Sequence, residues 1–320
     1  MQTFWQEKIR VGNLTFPRFI GAPLDGITDA AFRKLIREFS KDELLYTEMR
    51  HVACVANDKG AAKALYFDQS ERPLSYQVAA NYEKFIEQAC DKILQKGVDI
   101  IDLNVGCPAR NVISSGSGSA LMGDLPRLQK ILTCFRKKLN IPFSIKIRAG
   151  FKECNALEVA KLAQDCGVDA LAIHPRLQTM AFQGRPDYAL AAQVKKALSI
   201  PVFFSGGVVN FKTAQLVHEQ TGVDGFLIGR GIWAKPWKFQ ELAAHAAGKS
   251  YTVDNQFILA CAIKHFNYML EQYGEHAVYM FRKHVPFYIR GLTDASQLRQ
   301  TLISCKTPED VLNGLTLALQ

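Results

Sequence analysis

Short apolar runs alternate along the chain with longer stretches in which apolar residues recur every three or four positions. Eight runs stand out: Arg18–Ala22, Leu44–Met49, Leu74–Ala79, Asp99–Val105, Pro142–Ile147, Asp169–His174, Pro201–Ser205 and Gly225–Gly229. Within them IIDLNV, FSIKI, LAIH, VFFS and GFLI are nearly continuous, the pattern of strands buried on both faces of a parallel sheet. The intervening segments, such as Tyr82–Lys96, Leu125–Leu139 and Ala156–Asp165, carry the helical period. The units echo one another. KKLNIPFSI and KKALSIPVFF each read as a helix end, a turn and a proline leading into a strand, and Gly-Val-Asp precedes three of the runs. Its glycine suits a helix C-cap. Eight such units predict an α/β fold, a (β/α)8 TIM barrel of about 245 residues. A doubly wound sheet is the alternative, weakened because no G-x-G-x-x-G follows the first run.

From about Ala247 the texture changes. Asn255–Tyr273, His276–Ile289 and Leu298–Cys305 read as amphipathic helices with no strand signal between them. The expected division is a barrel over residues 1–245 and a small helical domain over 246–320, with Gly248–Asp254 as the linker.

Composition narrows the class. At 320 residues, 48% hydrophobic and 22% charged, the chain is globular, which excludes a disordered, collagen-like or coiled-coil protein. The net charge of +9 favours an anionic partner, nucleic acid first. The excess lies on the barrel: 32 basic and 24 acidic residues through position 244, against 7 and 6 beyond it. Eight cysteines are scattered with no C-x-x-C pair and no zinc or iron–sulfur spacing, so reduced thiols and no metal are expected. The start has no signal-peptide pattern and no run approaches the ~18 apolar residues that span a bilayer, so a cytoplasmic protein without membrane contact is expected.

In a barrel of this kind chemistry gathers at the C-terminal ends of the strands. The polar residues ending apolar runs are Glu48, Gln77, Asn104, Lys146 with Arg148, His174 with Arg176, and Ser205. Each alone reads equally well as a solvated strand-end group; their convergence on one face is the signal. Two glycine-rich turns, Ser205-Gly206-Gly207 and Gly229-Arg230-Gly231, follow the seventh and eighth runs, where backbone N–H groups often cradle a phosphate. A phosphorylated cofactor is therefore expected, with Arg230 adding charge-assisted bonds. Cys107, just after Asn104, could be nucleophile, general acid or inert, with His174 as its base if geometry allows. The SSGSGS stretch Ser114–Ser119 reads as a mobile loop able to close over a substrate.

At these residues the chain resembles the tRNA-dihydrouridine synthases, in particular their bacterial B-type branch. The resemblance covers most of the chain. It rests on Ala22–Asp29 (APLDGITD), Thr47-Glu48-Met49, Asp102–Pro108 (DLNVGCP), Gly116–Met122 (GSGSALM), Lys146–Gly150 (KIRAG) and Ile228–Gly231 (IGRG). Arg282-Lys283-His284-Val285 near Tyr288 adds to it. It implies an FMN-binding barrel followed by a helical RNA-binding domain. The implied reaction is reduction of the C5=C6 bond of uridine in RNA. NADPH or NADH reduces FMN, hydride passes from flavin N5 to uracil C6, and a cysteine protonates C5. By this resemblance Cys107 is the proton donor. Lys146 sits by the flavin N1/O2 edge, Gln77 holds the isoalloxazine edge, and Pro23 packs beneath the ring. His174 contacts flavin, and Ser205, Gly206, Gly207, Gly229 and Arg230 belong to the phosphate site. Asn104, Arg148 and Arg176, with Lys283 and His284 of the helical part, are the substrate residues.

The chain departs from the usual family pattern at Leu24, at His174-Pro175-Arg176-Leu177-Gln178 and at Ser205-Gly206-Gly207. Pro175 removes a backbone N–H and should stiffen the turn there. The departures bear on RNA contacts of that loop rather than on FMN binding. The expected partner is tRNA, a ribosomal RNA target staying open, and a monomer is the default. Two rivals remain: an FMN barrel reducing a free pyrimidine, which would not need the helical part, and an RNA-binding protein without catalysis.

Overall fold

A computed structural model of the chain describes residues 2–57, 66–181, 183–292 and 294–318. Eight parallel strands close into a barrel: β1 (Phe19–Gly21), β2 (Leu45–Tyr46), β3 (Leu74–Ala79), β4 (Ile100–Val105), β5 (Phe143–Gly150), β6 (Ala170–Leu177), β7 (Val202–Ser205) and β8 (Gly225–Ile228). Closure comes from β8 pairing with β1 and β2 pairing with β3. One helix follows each strand: α1 (Ala30–Phe39), α2 (Val52–Asn57), α3 (Ile86–Gln95), α4 (Leu125–Lys138), α5 (Ala156–Asp165), α6 (Tyr188–Ala197), α7 (Phe211–Thr221) and α8 (Lys238–Ala246). Side-chain caps start several of them, with Asp29, Asp124, Asp187 and Asn210 each accepting from a first-turn amide. This is the eightfold barrel that the run pattern predicts.

The recurring Gly-Val-Asp has a double explanation. Its glycines, Gly97, Gly167 and Gly222, all take positive φ (+79°, +82° and +66°), as a helix C-cap requires. Its aspartates stitch neighbouring strands at the amino end of the barrel. Asp99 accepts from the amide of Leu74, Asp169 from Phe143 and Asp224 from Val202, each at 2.8 Å. Each carboxylate also binds a base: Arg72, Arg136 and Lys195 respectively. The repeat is therefore a suture that supplies an acceptor to a strand's first N–H, a donor the ladder leaves over.

An antiparallel hairpin, Ile9–Val11 with Leu14–Phe16, precedes β1. Ile9, Val11 and Phe16 cluster with Ile100, Ala170 and Phe203, residues at the first turns of the strands. The hairpin thus plugs the amino end of the barrel with apolar side chains, and its three-residue strands are too short to show a sequence period.

Beyond α8 come α9 (Asn255–Tyr273), α10 (Ala277–Phe281), α11 (Val285–Tyr288), α12 (Ala295–Ser304) and α13 (Pro308–Leu317). The expected helix His276–Ile289 is broken into α10 and α11. Pro286 lacks an N–H and its ring clashes with the carbonyl four residues back, so it fits only in the first turn of a new helix. The last helix, α13, begins with a capping box in which Thr307 and Asp310 satisfy each other's amides. α9 lies along α1: Phe39 meets Phe257 edge-on, Lys264 and the Tyr268 hydroxyl bind Glu38, and Lys34 binds Glu271 at 2.9 Å.

Two further segments gain detail. β6 runs through Pro175 to Leu177 rather than ending at His174. The β5–β6 register slips between Arg148 and Gly150, and Pro175 falls in that irregularity, where no ladder amide is required. The stretch Ser114–Ser119, expected to be a mobile loop, has hydrogen-bonding partners in this structure. A helical turn, Arg110–Ser114, and a 3-10 segment, Gly118–Gly123, enclose it. Ser119, fully buried, donates from its amide and hydroxyl to the Cys107 carbonyl at 3.1 and 2.9 Å. Composition alone cannot reveal those partners.

The sutures give a stability prediction. Asp99→Ala leaves the Leu74 amide and Arg72 without their acceptor and costs about 2–3 kcal/mol in urea unfolding. Asp99→Asn, which still accepts from Leu74, costs less.

A candidate active site at the carboxyl ends of the strands

The register of three neighbouring strands builds the centre of the site. Gln77 on β3 stands opposite Asp102 on β4, Asp102 opposite Ser144 on β5, and Asn104 opposite Lys146. Farther round, Arg148 stands opposite His174 on β6. Because side chains alternate along a strand, Asp102 and Asn104 face the same way, as do Ser144, Lys146 and Arg148. The polar residues that the sequence placed at strand ends are thus brought together in the barrel mouth.

Their polar groups are largely committed to one another. Asp102 accepts from Gln77 Nε2 at 2.8 Å and from Ser144 Oγ at 2.6 Å. Asn104 donates to Gln77 Oε1 at 2.9 Å, and its Oδ1 accepts from the amides of Gly106 at 3.1 Å and Cys107 at 2.8 Å. Arg148, only 2% exposed, donates from Nε to the Gly106 carbonyl at 2.8 Å and from Nη1 to the carbonyls of Leu177 and Ala181. Asn104 and Arg148 therefore grip the Cys107 loop from two sides, while Ser119 holds its carbonyl. The thiol itself sits half-buried.

Charge in the mouth is mostly positive. Burial, with Arg148 nearby, lowers the Lys146 ammonium to about 8, against the opposing pull of Asp102 and Cys107. Burial, then the cations Lys146, Arg148, Arg176 and Arg230, hold His174 down to about 2, so its ring is neutral throughout the physiological range. Arg176 Nη1 lies 2.7 Å from His174 Nε2. A guanidinium only donates, so Nε2 is the acceptor and the ring proton lies on Nδ1. A neutral imidazole so held is a poor base for Cys107 and a good fixed hydrogen-bonding group. Arg176 is further tied to the Gly184 carbonyl through Nε and Nη2. The remaining buried acid, Asp102, is raised to about 6 by burial, opposed by its bonds to Ser144 and Gln77 and by Lys146.

The two glycine turns border this cluster. Gly206 has φ +118°, and a Cβ there would come within 2.7 Å of His174 Cδ2 and 3.0 Å of Arg176 Nη1. Gly207 has φ +82°, while at Gly229 the nearest neighbour of a Cβ would be Leu24 at 3.7 Å. Ser205 ends β7 beside them, and Pro23 follows β1. These glycines leave backbone without side chains of its own beside Arg176, with the Arg230 charge close enough to act on both His174 and Arg176, and backbone N–H groups next to cations suit a phosphate.

The helical-region candidates part company. Lys283 is half-buried and its Nζ approaches Gly26, in the loop after β1, where a Cβ would lie 3.2 Å away. That loop is fixed by Glu48, whose Oε1 accepts from the Gly26 amide at 2.5 Å. His284 is different, and its expected place among the substrate contacts needs correction. It is 0% exposed, packed against His265 at 4.5 Å and among Phe32, Phe281 and Trp233. One step along this turn, about 100° on a helical path, takes the side chain from the Lys283 side into the core.

Ser144, buried and donating to Asp102, was missed by sequence reasoning, and Asp102 entered only as part of a motif. The available signal was an acid or hydroxyl interrupting an otherwise apolar run. Among the described residues there is no three-residue His/Cys/Asp/Glu group suited to a metal, and no helix is long and apolar enough to cross a membrane.

A closed parallel barrel whose polar groups converge at the strand ends, with glycine turns beside buried cations and a tethered cysteine, defines a barrel enzyme. The sequence profile of the family described as Dihydrouridine synthase (Dus) matches residues 20–320. The chain is 33% identical over 297 residues to tRNA-dihydrouridine synthase B of Pseudomonas aeruginosa, covering 91% of this chain and 90% of the relative. It is 31% identical over 301 residues to a probable tRNA-dihydrouridine synthase of Rickettsia bellii, covering 91% of each. With probable tRNA-dihydrouridine synthase 1 of Synechocystis it shares 29% over 315 residues, 96% of this chain and 88% of the relative. The protein belongs to the dihydrouridine synthase family.

The Lys146 environment makes a pH prediction. Its folded value of about 8 lies below the ordinary 10.5, so between those values the unfolded chain binds more protons. Stability through this group therefore rises with pH in that window. In thermal unfolding of the ligand-free protein, wild type gains on Lys146→Met as pH is raised from 8 to 10.

Proposed function

We propose that the protein reduces the C5=C6 bond of uridine in tRNA to 5,6-dihydrouridine, using FMN bound in the barrel mouth and NADPH or NADH as reductant. The observation that carries this reading is the Cys107 loop, gripped by Asn104, Arg148 and Ser119 beside a cationic, glycine-edged cradle. The family of the chain supports the reaction, and the chemistry of the mouth supports the cofactor.

When bound, the flavin supplies the hydride that reaches uracil C6. Cys107 gives its thiol proton to C5, and solvent reprotonates the sulfur, so two hydrogens are added across the double bond. The grip on its backbone keeps the sulfur in one place, which is where much of the rate of a proton transfer originates. Lys146 presents a cation to the negative charge that reduction brings. His174, neutral and fixed by Arg176, hydrogen-bonds without adding charge. Gly206, Gly207 and Gly229 offer backbone to the phosphate, with Ser205 and Arg230 at its edge. Gln77 and Pro23 would help to hold the flavin ring. Asn104 and Arg148 shape the target pocket through the Cys107 loop, while Arg176 does so through His174.

The helical region, residues 246–320, is proposed to place the RNA, with Lys283 as its cation nearest the loop after β1. The target uridine must leave its stack to enter the mouth, at a cost of a few kcal/mol. Because the excess positive charge lies on the barrel, binding should weaken steeply with salt.

Mapping of dihydrouridine at single-nucleotide resolution in RNA from a deletion strain tests the function: loss at one or more tRNA uridines is expected, and an unchanged map refutes it. Cys107→Ala keeps flavin and its reduction by NADPH, followed by absorbance, but lowers uridine reduction by at least about a hundredfold. Arg230→Ala lowers flavin retained after dialysis about tenfold, the loss of one charge-assisted bond.

A further inference from the structure

Asp102 is fully buried one layer beneath the reacting groups, and no step above uses it. Taking the proposed reaction as given, we infer that Asp102 is a positioning residue: the acceptor at the base of a one-way hydrogen-bond relay through Gln77 and Asn104 that holds the Cys107 backbone in place.

The relay has a direction at every link. An ionised carboxylate only accepts. Asp102 therefore turns the Gln77 amide so that Nε2 points down to it at 2.8 Å and Oε1 points up. Oε1 can then accept from Asn104 Nδ2 at 2.9 Å, which leaves Asn104 Oδ1 facing the amides of Gly106 and Cys107. The upper end is a pair of backbone donors and cannot change sense. Without Asp102 the Gln77 NH2 has no acceptor, and no flip relieves it: an inverted Gln77 puts its NH2 against the NH2 of Asn104, and an inverted Asn104 puts its NH2 against the Cys107 N–H. In a dry interior such donor–donor contacts are expensive, so the loop, not the barrel, gives way.

The sheet itself builds the base of the relay. The register of β3, β4 and β5 sets Gln77, Asp102 and Ser144 side by side, and Ser144 gives Asp102 a second donor at 2.6 Å. Lys146 also faces this carboxylate, which raises a rival role as counter-ion to that ammonium. The two roles separate on substitution. Asparagine keeps an acceptor for Gln77 and drops the charge; leucine, of similar size, drops both.

The test uses full-length flavin-loaded enzyme, wild type, D102N and D102L. The readouts are kcat and KM for tRNA, reduction by NADPH, and the rate of Cys107 alkylation by iodoacetamide read from its peptide by mass spectrometry. D102L is expected to lower kcat at least about tenfold with KM little changed and to shift Cys107 alkylation at least about threefold, while D102N stays near wild type in both. A D102L enzyme equal to wild type overturns the inference, and so does a D102N enzyme as impaired as D102L, which would assign the effect to charge. If D102L does not fold, the pair Q77E and Q77E/D102N decides. In Q77E a second carboxylate would face Asp102 acceptor to acceptor, and D102N supplies the missing donor, so recovery of at least about fivefold is expected and no recovery overturns the relay. A wild-type enzyme that forms no dihydrouridine defeats the proposed reaction, while the alkylation series still judges Asp102.

Discussion

Closing eight parallel strands into a barrel creates an interior that water cannot serve, so every inward-facing side chain must find its partner there. The chain meets this constraint differently at its two ends. At the amino end, the hairpin and residues such as Phe16, Ile100 and Phe203 fill the space with apolar surface. At the carboxyl end, the same inward positions carry Gln77, Asp102, Asn104 and Ser144, which hydrogen-bond to one another, and Lys146, which feels the Asp102 charge. The division between plug and site is a division between two ways of filling one cylinder.

The polar half is rigid because its bonds have sense. Asn104 and Arg148 both end on the short segment Gly106-Cys107, one gripping its amides and the other a carbonyl. A loop residue is thereby tied through its own amide and its neighbour's amide and carbonyl, which suits the proton donor proposed for Cys107. The cations around it sit in a low-dielectric mouth where each is costly alone. Burial depresses Lys146 and Arg148 below their ordinary values, and a bound anion would relieve that cost.

The helical region is joined to the barrel chiefly through α1. The Tyr273 hydroxyl donates to Asp29 at 3.1 Å, and Asp29 also caps α1, which begins just after the loop that Lys283 approaches. One buried carboxylate thus links the start of α1, the end of α9 and the rim of the site. Whatever the helical part holds is placed relative to that rim by a short, direct path.

Much of this was written in the sequence. The apolar runs located all eight strands, because strands buried on both faces admit few polar residues. The Gly-Val-Asp phrase marked helix ends, because a C-cap needs a residue that tolerates positive φ. The converging strand-end residues Gln77, Asn104, Lys146 and His174 followed from the alternation of side chains in a barrel. What local pattern could not carry was partnership. Ser114–Ser119 shows only small polar residues in the sequence, and only the fold supplies the Cys107 carbonyl that Ser119 binds. His284 read as a substrate contact because only packing shows that it faces His265 and Phe32 rather than its neighbour's solvent side. Asp102 read as one letter of a motif until the register of three strands set it under Gln77. Periodicity and backbone conformation are local properties, so the sequence determined the elements and the residues available to the site. Hydrogen-bond partners lie tens of residues away along the chain, so only the tertiary structure decided which of those residues bind, which hold and which are buried.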